Sequence, residues 1–243
     1  MKILPVLLAA LSAVGCSASF NPREMQDRLW GGEKFFTDDD LRQIEQLRPQ
    51  LTPPIRLAIA PPMYEYGAPE LDGEREAIEA WGAELKKSGL VKEVILLPKV
   101  LLGTPSQGRH AQDYFKSVRV AAARVQADAV LLLSSVTDVS SYLNPLAILD
   151  LTIAGIYVAP GHSKDAMTIV EGIVMDNRNE YVYWTGSARA TGTTTAPLVY
   201  VDEENAIRRS RVAALKAFGE RLAANVDAFK PVPPGERYHS PGK

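Results

Sequence analysis

Residues 128–136 have the sequence DAVLLLSSV, which is apolar without interruption from Ala129 to Leu133. A short, continuous apolar run is typical of a strand that is covered on both faces, as in the middle of a parallel sheet. We therefore predict that this stretch is a central strand of the fold. The elements on either side of it then indicate the class of the sheet.

The sequence before this strand alternates between strand and helix patterns. Residues 55–60 and 91–97 are short stretches rich in apolar residues, and each of them is followed by a proline. Residues 72–87 and 111–126 carry apolar side chains at helical spacing. The resulting βαβαβ order favours a parallel sheet that is connected by right-handed crossovers.

The sequence after the central strand predicts antiparallel additions. Residues 149–158 are rich in β-branched side chains, and we expect them to form a strand. Residues 165–176 and 180–191 are two further runs, and the turn chemistry of residues 177–179 between them predicts an antiparallel hairpin.

A long helix ends the predicted fold. Asp202 is its N-cap, and apolar residues then recur at helical spacing to about Ala228. The predicted fold class is α/β, a three-layer or two-layer sandwich with a mixed sheet of about six strands and its helices mainly on one face.

The segment between the central strand and the hairpin is unusually apolar. Residues 145–160 read PLAILDLTIAGIYVAP. The favoured interpretation of residues 146–160 is a core strand with an apolar lead-in, and the alternative is an exposed surface that touches a membrane or forms oligomers. A pore-lining strand is disfavoured, because polar and apolar residues do not alternate along the segment.

The N-terminus has the three parts of a secretory signal. Lys2 is positive, residues 3–11 are apolar, and small residues precede Cys16. The apolar part is shorter than the roughly 20 residues that span a bilayer as a helix. We therefore predict that residues 1–15 are removed by cleavage between Gly15 and Cys16.

Cys16, the only cysteine of the chain, is the predicted site of lipid attachment. Residues 13–16, AVGC, resemble the lipobox of bacterial lipoproteins. That resemblance implies a diacylglycerol on the Cys16 sulfur and an acyl chain such as palmitate on its amine, which together anchor a protein stably. Ser17 implies sorting to the outer membrane, with the protein facing the periplasm.

The predicted domain organisation has four parts. Residues 1–15 are the cleaved signal peptide, and residues 16–54 are a lipid-anchored tether that carries one helix. Residues 55–230 are the α/β domain. Residues 231–243 are rich in proline and polar residues, which predicts a disordered tail.

Composition and spacing exclude several functions. The 27 Lys and Arg residues are fewer than the 29 Asp and Glu residues, so the chain lacks the basic excess of nucleic-acid-binding proteins. Zinc sites need three or four ligands at close spacing, and His110, His162 and His239 are far apart in the sequence. We predict neither a metal nor a cofactor.

Catalytic residues are not evident either. The G-x-S-x-G motif of serine hydrolases is absent. Ser134 and Ser135 end the central strand, where open α/β sheets form ligand crevices. A hydrolase that uses Ser134, Ser135 or His162 is therefore the enzymatic alternative, and it requires these residues to converge on one pocket.

Several stretches carry a family resemblance. Residues 127–133 (ADAVLLL), 151–161 (LTIAGIYVAPG) and 183–188 (YWTGSA), together with Cys16, make residues 55–230 resemble the rhombotarget-type bacterial lipoproteins, which have no established activity. The order of elements is more distantly similar to that of curli-secretion lipoproteins and of lipoproteins that activate penicillin-binding proteins. These resemblances imply an assembly or partner-binding module.

The leading prediction is a lipoprotein of the outer membrane that binds a protein partner or assists envelope assembly without catalysis. Its alternatives are the periplasmic hydrolase described above and a homo-oligomeric secretion component. The membrane, through the acyl chains, and an envelope protein are the expected partners, and nucleic acid is not.

Overall fold

A computed structural model describes residues 20–25, 38–64, 69–102, 111–152 and 155–230. The strands within these ranges are β1 Ile55–Ile59, β2 Met63–Tyr64, β3 Val91–Leu96, β4 Ala129–Leu143, β5 His162–Asp176 and β6 Val182–Ala196. The helices are α1 Asp38–Glu45, α2 Glu74–Lys87, α3 Lys99–Leu102, α4 Ala111–Arg124, α5 Gly155–Val158 and α6 Glu203–Ala224, with 3-10 helices at Pro145–Leu151 and Val226–Phe229.

The strands form one mixed sheet in the order β3-β1-β4-β5-β6, and the short β2 pairs with β4. β1 runs parallel to both β3 and β4, whereas β5 runs antiparallel to its two neighbours, β4 and β6. The predicted α/β class, the βαβαβ order and the hairpin are therefore confirmed. The central strand lies where its sequence predicts, between the parallel and antiparallel halves.

The two crossover helices lie on opposite faces of the sheet. α2 leads from β1 outward to β3, and α4 leads back from β3 past β1 to β4. The two crossover connections run in opposite directions across the sheet. Since both are right-handed, their helices must lie on opposite faces. The sandwich therefore has three layers, with helices on both faces of the sheet.

Each face of the sheet has its own core. On the first face, odd-numbered β4 residues such as Leu131 pack with Trp81 of α2 and Phe218 of α6. On the second face, Val130 and Leu132 pack with Val118 and neighbouring α4 residues. The alternation of side chains along β4 explains why its apolar run has no polar interruption, since both faces are covered.

The three long strands form a ladder that has two distinct ends. At one end, Ala129 of β4 lies opposite Asp176 of β5, next to the turn that leads into β6. At the other end, Leu143 lies opposite His162, which in turn lies opposite Ala196. The chain after Leu143 and the chain after Ala196 therefore emerge at the same end of the molecule.

The predicted strand at residues 149–158 is wrong. Residues 149–151 lie in the 3-10 helix Pro145–Leu151 and residues 155–158 form the short α5. Leu149, Leu151, Tyr157 and Val158 are exposed rather than buried. β4 continues to Leu143 and pairs with β5 from its first to its last residue. Asn144 and Pro145 start a capped 3-10 helix directly after β4, so the chain leaves the sheet as a helix and not as a further strand.

The sequence before β1 contacts the body at two places. Met25 is 1% exposed and packs with Val136 and Ile169 on the second face of the sheet. Leu51 is buried in the core of the first face, and its backbone N–H donates to the Tyr183 hydroxyl. Parts of residues 16–54 are thus held against the α/β body, while the domain boundaries stay predictions.

Candidate functional site

The predicted site residues are distributed over the chain without forming a site. Gly15, Cys16, His110 and His239 lie outside the described residues, so lipid attachment at Cys16 stays a prediction. Within the described ranges there is no group of three or more His, Cys, Asp or Glu that could hold a metal ion.

Ser134, Ser135 and His162 do not converge. Ser134 lies opposite Glu171 in the ladder, and His162 lies opposite Leu143, nine residues farther along β4. At about 3.4 Å per residue, this separation is roughly 30 Å. Ser134 and Ser135 also point to opposite faces of the sheet, because they are consecutive in a strand. The hydrolase alternative built on these residues is therefore wrong.

A buried charged cluster lies next to Ser135 on the first face of the sheet. Glu74, at the start of α2, is fully buried and accepts a hydrogen bond of 2.5 Å from the Tyr64 hydroxyl. Arg211 of α6 is 3.6 Å from Glu74 Oε1 and lies 4.3 Å above the Tyr64 ring. The cluster thus joins β2, α2 and α6.

The guanidinium of Arg211 reaches further partners across the sheet. It donates to the Pro69 carbonyl at 3.1 Å and to Thr137 Oγ1 at 3.4 Å. Thr137 is also 2.9 Å from the hydroxyl of Thr168, which is 2.7 Å from the hydroxyl of Ser210. A chain of hydroxyls therefore extends the charged cluster into the sheet.

Burial dominates the electrostatics of the cluster. Loss of hydration raises the pKa of Glu74, while its hydrogen bonds to Tyr64 and Leu71 and the charge of Arg211 act in the opposite direction. Burial and the Glu74 carboxyl also raise the pKa of the Tyr64 hydroxyl. Perturbed groups of this kind occur at active sites and also in structural ion-pair networks.

The contacts of the cluster favour a structural role. The described partners of Arg211 come from four separate parts of the chain and leave its guanidinium enclosed. Glu74 Oε1 and Ser135 Oγ are the buried oxygens of this region without a hydrogen bond among the described residues. Sequence reasoning missed the cluster, because Glu74 and Arg211 are far apart in the chain and neither belongs to a recognisable motif.

A groove lies between α2 and the edge strand β3. Its volume is about 390 Å³. The sheet contributes Ile59, Val94 and Leu96, and the helix contributes Ile78, Glu79, Gly82, Ala83 and Lys86. The side chains toward the middle of the groove are apolar, whereas Glu79 and Lys86 provide charges of opposite sign. Gly82 keeps the groove open, since it adds no side chain between α2 and Val94.

A second apolar surface lies at the Leu143 end of the ladder, and we call it the apolar tip. Ten of the fifteen exposed large apolar residues in the described ranges belong to it, with exposed fractions from 46% to 87%. The apolar tip consists of Leu143, Leu146, Ile148, Leu149, Leu151, Tyr157, Val158, Leu198, Val199 and Tyr200.

Hydrogen bonds hold the apolar tip in a defined shape. Asn144 caps the 3-10 helix by accepting from the backbone N–H of Leu146 at 2.9 Å, and its side-chain amide donates to the Pro160 carbonyl at 2.6 Å. Gly161 lies so close to Ala147 that a Cβ there would be 2.5 Å from the Ala147 Cα. These contacts fix the start of the 3-10 helix against the start of β5.

The helices of the described ranges are all too short or too polar to span a bilayer. No protein-family model matches the chain, and no curated protein matches it. The resemblance to rhombotarget-type lipoproteins therefore stays a prediction.

Several solved structures are similar to this chain at low identity. Lipoprotein GNA1162 from Neisseria meningitidis is 16% identical, over 70% of this chain and 99% of that chain, with a TM-score of 0.35. A minor lipoprotein from Acinetobacter baumannii is 9% identical, over 71% and 90%, with a TM-score of 0.32. The C-terminal domain of LpoB from Salmonella enterica is 16% identical, over 58% and 84%, with a TM-score of 0.32.

At these TM-scores and identities, the matches assign neither a family nor an activity.

Proposed function

We propose that this protein is a lipid-anchored module of the bacterial outer membrane that faces the periplasm and binds an envelope protein without catalysing a reaction. The groove between α2 and β3 is the observation that carries this proposal. The anchor is the acylated Cys16 of the lipobox resemblance, and residues 1–15 are its cleaved leader.

The groove lies beside an unpaired strand edge. β3 pairs with β1 on one side, and no strand of the described ranges pairs with its other side. Free backbone N–H and C=O groups along such an edge can pair with an extended segment of another protein. The last three residues of β3 are half-buried, so the edge is not shielded by charged side chains at that end.

The side chains beside the edge suit an apolar anchor residue. Val94 and Leu96 point from β3 into the groove, toward Ile78 and Gly82 of α2. Main-chain pairing at β3 would supply affinity, and an apolar side chain in the groove would supply specificity. The partner class is therefore a protein with an extended, apolar segment.

The proposal is tested by photo-crosslinking in intact envelopes. A photoreactive amino acid replaces Ala83, which lines the groove, or Ala80, which is exposed on the same helix but does not line it. We expect a discrete crosslinked protein from position 83 and none from position 80.

A matched pair of substitutions measures the contribution of the groove. Ala83→Trp fills the groove, and we expect it to weaken the binding of the crosslinked partner by roughly tenfold or more, since central anchor contacts dominate interface energies. Ala80→Trp makes the same change outside the groove and should leave binding unchanged. Equal crosslinking from both positions, or equal effects of both substitutions, would reject the groove as the binding site.

A further inference from the structure

We propose that the apolar tip inserts into the surface of the same bilayer that holds the acyl chains of Cys16. The proposal rests on the anchor in the proposed function and adds a second, noncovalent membrane contact to it. It concerns a surface that is separate from the groove between α2 and β3.

The apolar tip contains ten large apolar side chains that are exposed. Soluble monomers rarely expose large contiguous apolar patches without a binding role. Leu151 and Val158 are 87% and 75% exposed, and they belong to the 3-10 helix and α5 in the connection between β4 and β5. Residues 197–200 add Leu198, Val199 and Tyr200 at the same end, because β6 ends opposite His162.

The composition of the apolar tip favours lipid as the occupant. Tyr157 and Tyr200 are both exposed among aliphatic side chains, and tyrosine is enriched where proteins meet the membrane interface. Asp150 is the single charged residue between positions 143 and 161. The apolar tip therefore carries no basic side chains of its own, and contact would be driven by apolar burial.

The charged groups that flank the apolar tip do not point to an anionic ligand. Lys164 is engaged by Glu203 at 2.5 Å, and Asp202 accepts the backbone N–H of Glu204 at the start of α6. With acidic groups prevailing, an anionic lipid headgroup would gain little there. We expect the apolar tip to contact the uncharged acyl region beneath the lipid headgroups. Its binding to the bilayer should therefore not depend on salt concentration.

The length of chain before the body places the bilayer within reach. Met25 is buried against Val136, and residues 22–25 are helical, so the chain from Cys16 to Met25 spans at most about 25 Å. From Val136 to Leu143, β4 extends about 24 Å toward the apolar tip. The anchor and the apolar tip can therefore reach one bilayer together without detaching Met25.

The insertion is tested with a single spin label on the acylated full chain in phosphatidylcholine vesicles. Cys16 is the only natural cysteine, so Leu151→Cys introduces the sole free thiol once Cys16 is acylated. Oxygen, which concentrates in the bilayer, should accelerate the relaxation of a nitroxide at this position. A water-soluble nickel chelate should have little effect on that relaxation. A nitroxide at Lys87→Cys, at the exposed end of α2, should show the reverse.

Two further measurements make the outcome decisive. Adding Leu146→Asp and Leu149→Asp should return the label at position 151 to water, while thermal unfolding stays unchanged because both leucines are exposed. A label at position 151 that matches the one at position 87 would overturn the proposal. So would dipolar broadening that disappears on dilution with unlabelled chain, because the occupant would then be a second copy.

The anchor is examined separately by the mass of the N-terminal peptide. A peptide without lipid on Cys16 would reject the anchor of the proposed function. An acylated peptide combined with a water-exposed label at position 151 would reject the apolar tip as a membrane contact and leave the anchor intact.

Discussion

Two glycines in helix interiors should respond to the same substitution with opposite signs. Gly219 of α6 faces the indole of Trp81, and a Cβ at Gly219 would lie 2.0 Å from Trp81 Nε1. Gly82 of α2 faces Val94, and a Cβ there would lie 3.4 Å from the nearest atom, which is ordinary contact. The fold therefore has no room for a side chain at Gly219, but it has room for a methyl group at Gly82.

The magnitudes follow from two opposing effects. Replacing a helix-interior glycine by alanine stabilises a helix by about 1 kcal/mol. At Gly82 no close contact opposes this gain, so we expect Gly82→Ala to raise the free energy of unfolding by up to about 1 kcal/mol.

At Gly219 the gain is exceeded by overpacking. Trp81 is buried and packs 5.5 Å from the Phe218 ring, so the indole cannot move away without disturbing the core. Overpacking of this kind costs about 1–3 kcal/mol, and occasionally more. After the helix gain is subtracted, we expect Gly219→Ala to lower the free energy of unfolding by up to about 2 kcal/mol.

Urea unfolding of the two variants and the parent chain, followed by circular dichroism, measures these changes. In thermal unfolding, a change of 1 kcal/mol shifts the Tm of a chain of this size by about 2–4 °C. The two shifts should therefore be separable and opposite. Equal shifts of the same sign would show that helix propensity alone determines the stability change at both positions. The close contact between Gly219 of α6 and Trp81 of α2 would then be wrong.

Two further predictions concern buried polar groups. The Tyr183 hydroxyl accepts the backbone N–H groups of Gln50 and Leu51 at 2.7 and 2.9 Å, so Tyr183→Phe should lower the free energy of urea unfolding by about 1–3 kcal/mol. Tyr181→Phe, the matched change on a neighbouring ring, should have a smaller effect, and equal losses would contradict the role of that hydroxyl. Burial raises the pKa of Glu74, so the folded chain holds its proton more strongly than the unfolded chain does. The stability from this protonation is present at low pH and is lost as pH rises through the folded pKa. The free energy of urea unfolding of Glu74→Gln, relative to that of the parent, should therefore increase with pH. A difference that is constant with pH would refute the raised pKa.

The central strand shows what local sequence can predict. An unbroken apolar run of this length has few explanations besides a strand covered on both faces, and β4 begins at Ala129 as its sequence indicates. The continuation of β4 to Leu143 was not predicted, because residues 137–143, TDVSSYL, are mostly polar and only partly buried. Pairing with β5 along the whole ladder decides this part of the strand.

Residues 149–158 show where local preference is overridden. Their β-branched side chains favour a strand, but the capped 3-10 helix Pro145–Leu151 directs the chain away from the sheet. Asn144 followed by Pro145 is a signal that could have corrected the prediction, since asparagine is a frequent N-cap and proline is favoured at the first helical position. The Glu74–Arg211 pair had no comparable signal, because only the tertiary fold brings α2 and α6 together.

The fifteen-residue ladder of β4, β5 and β6 also fixes the length of the sheet along its strands. Its register is continuous between β4 and β5, and a strand of this length is roughly 50 Å long. A strand whose two faces are buried cannot slip by one residue without exposing its core side chains. If the apolar tip rests on a bilayer, the turn between β5 and β6 stands at a set height above it, close to 50 Å when the strands are upright. In that arrangement the ladder sets the distance between the bilayer and the turn, in addition to supporting the apolar tip.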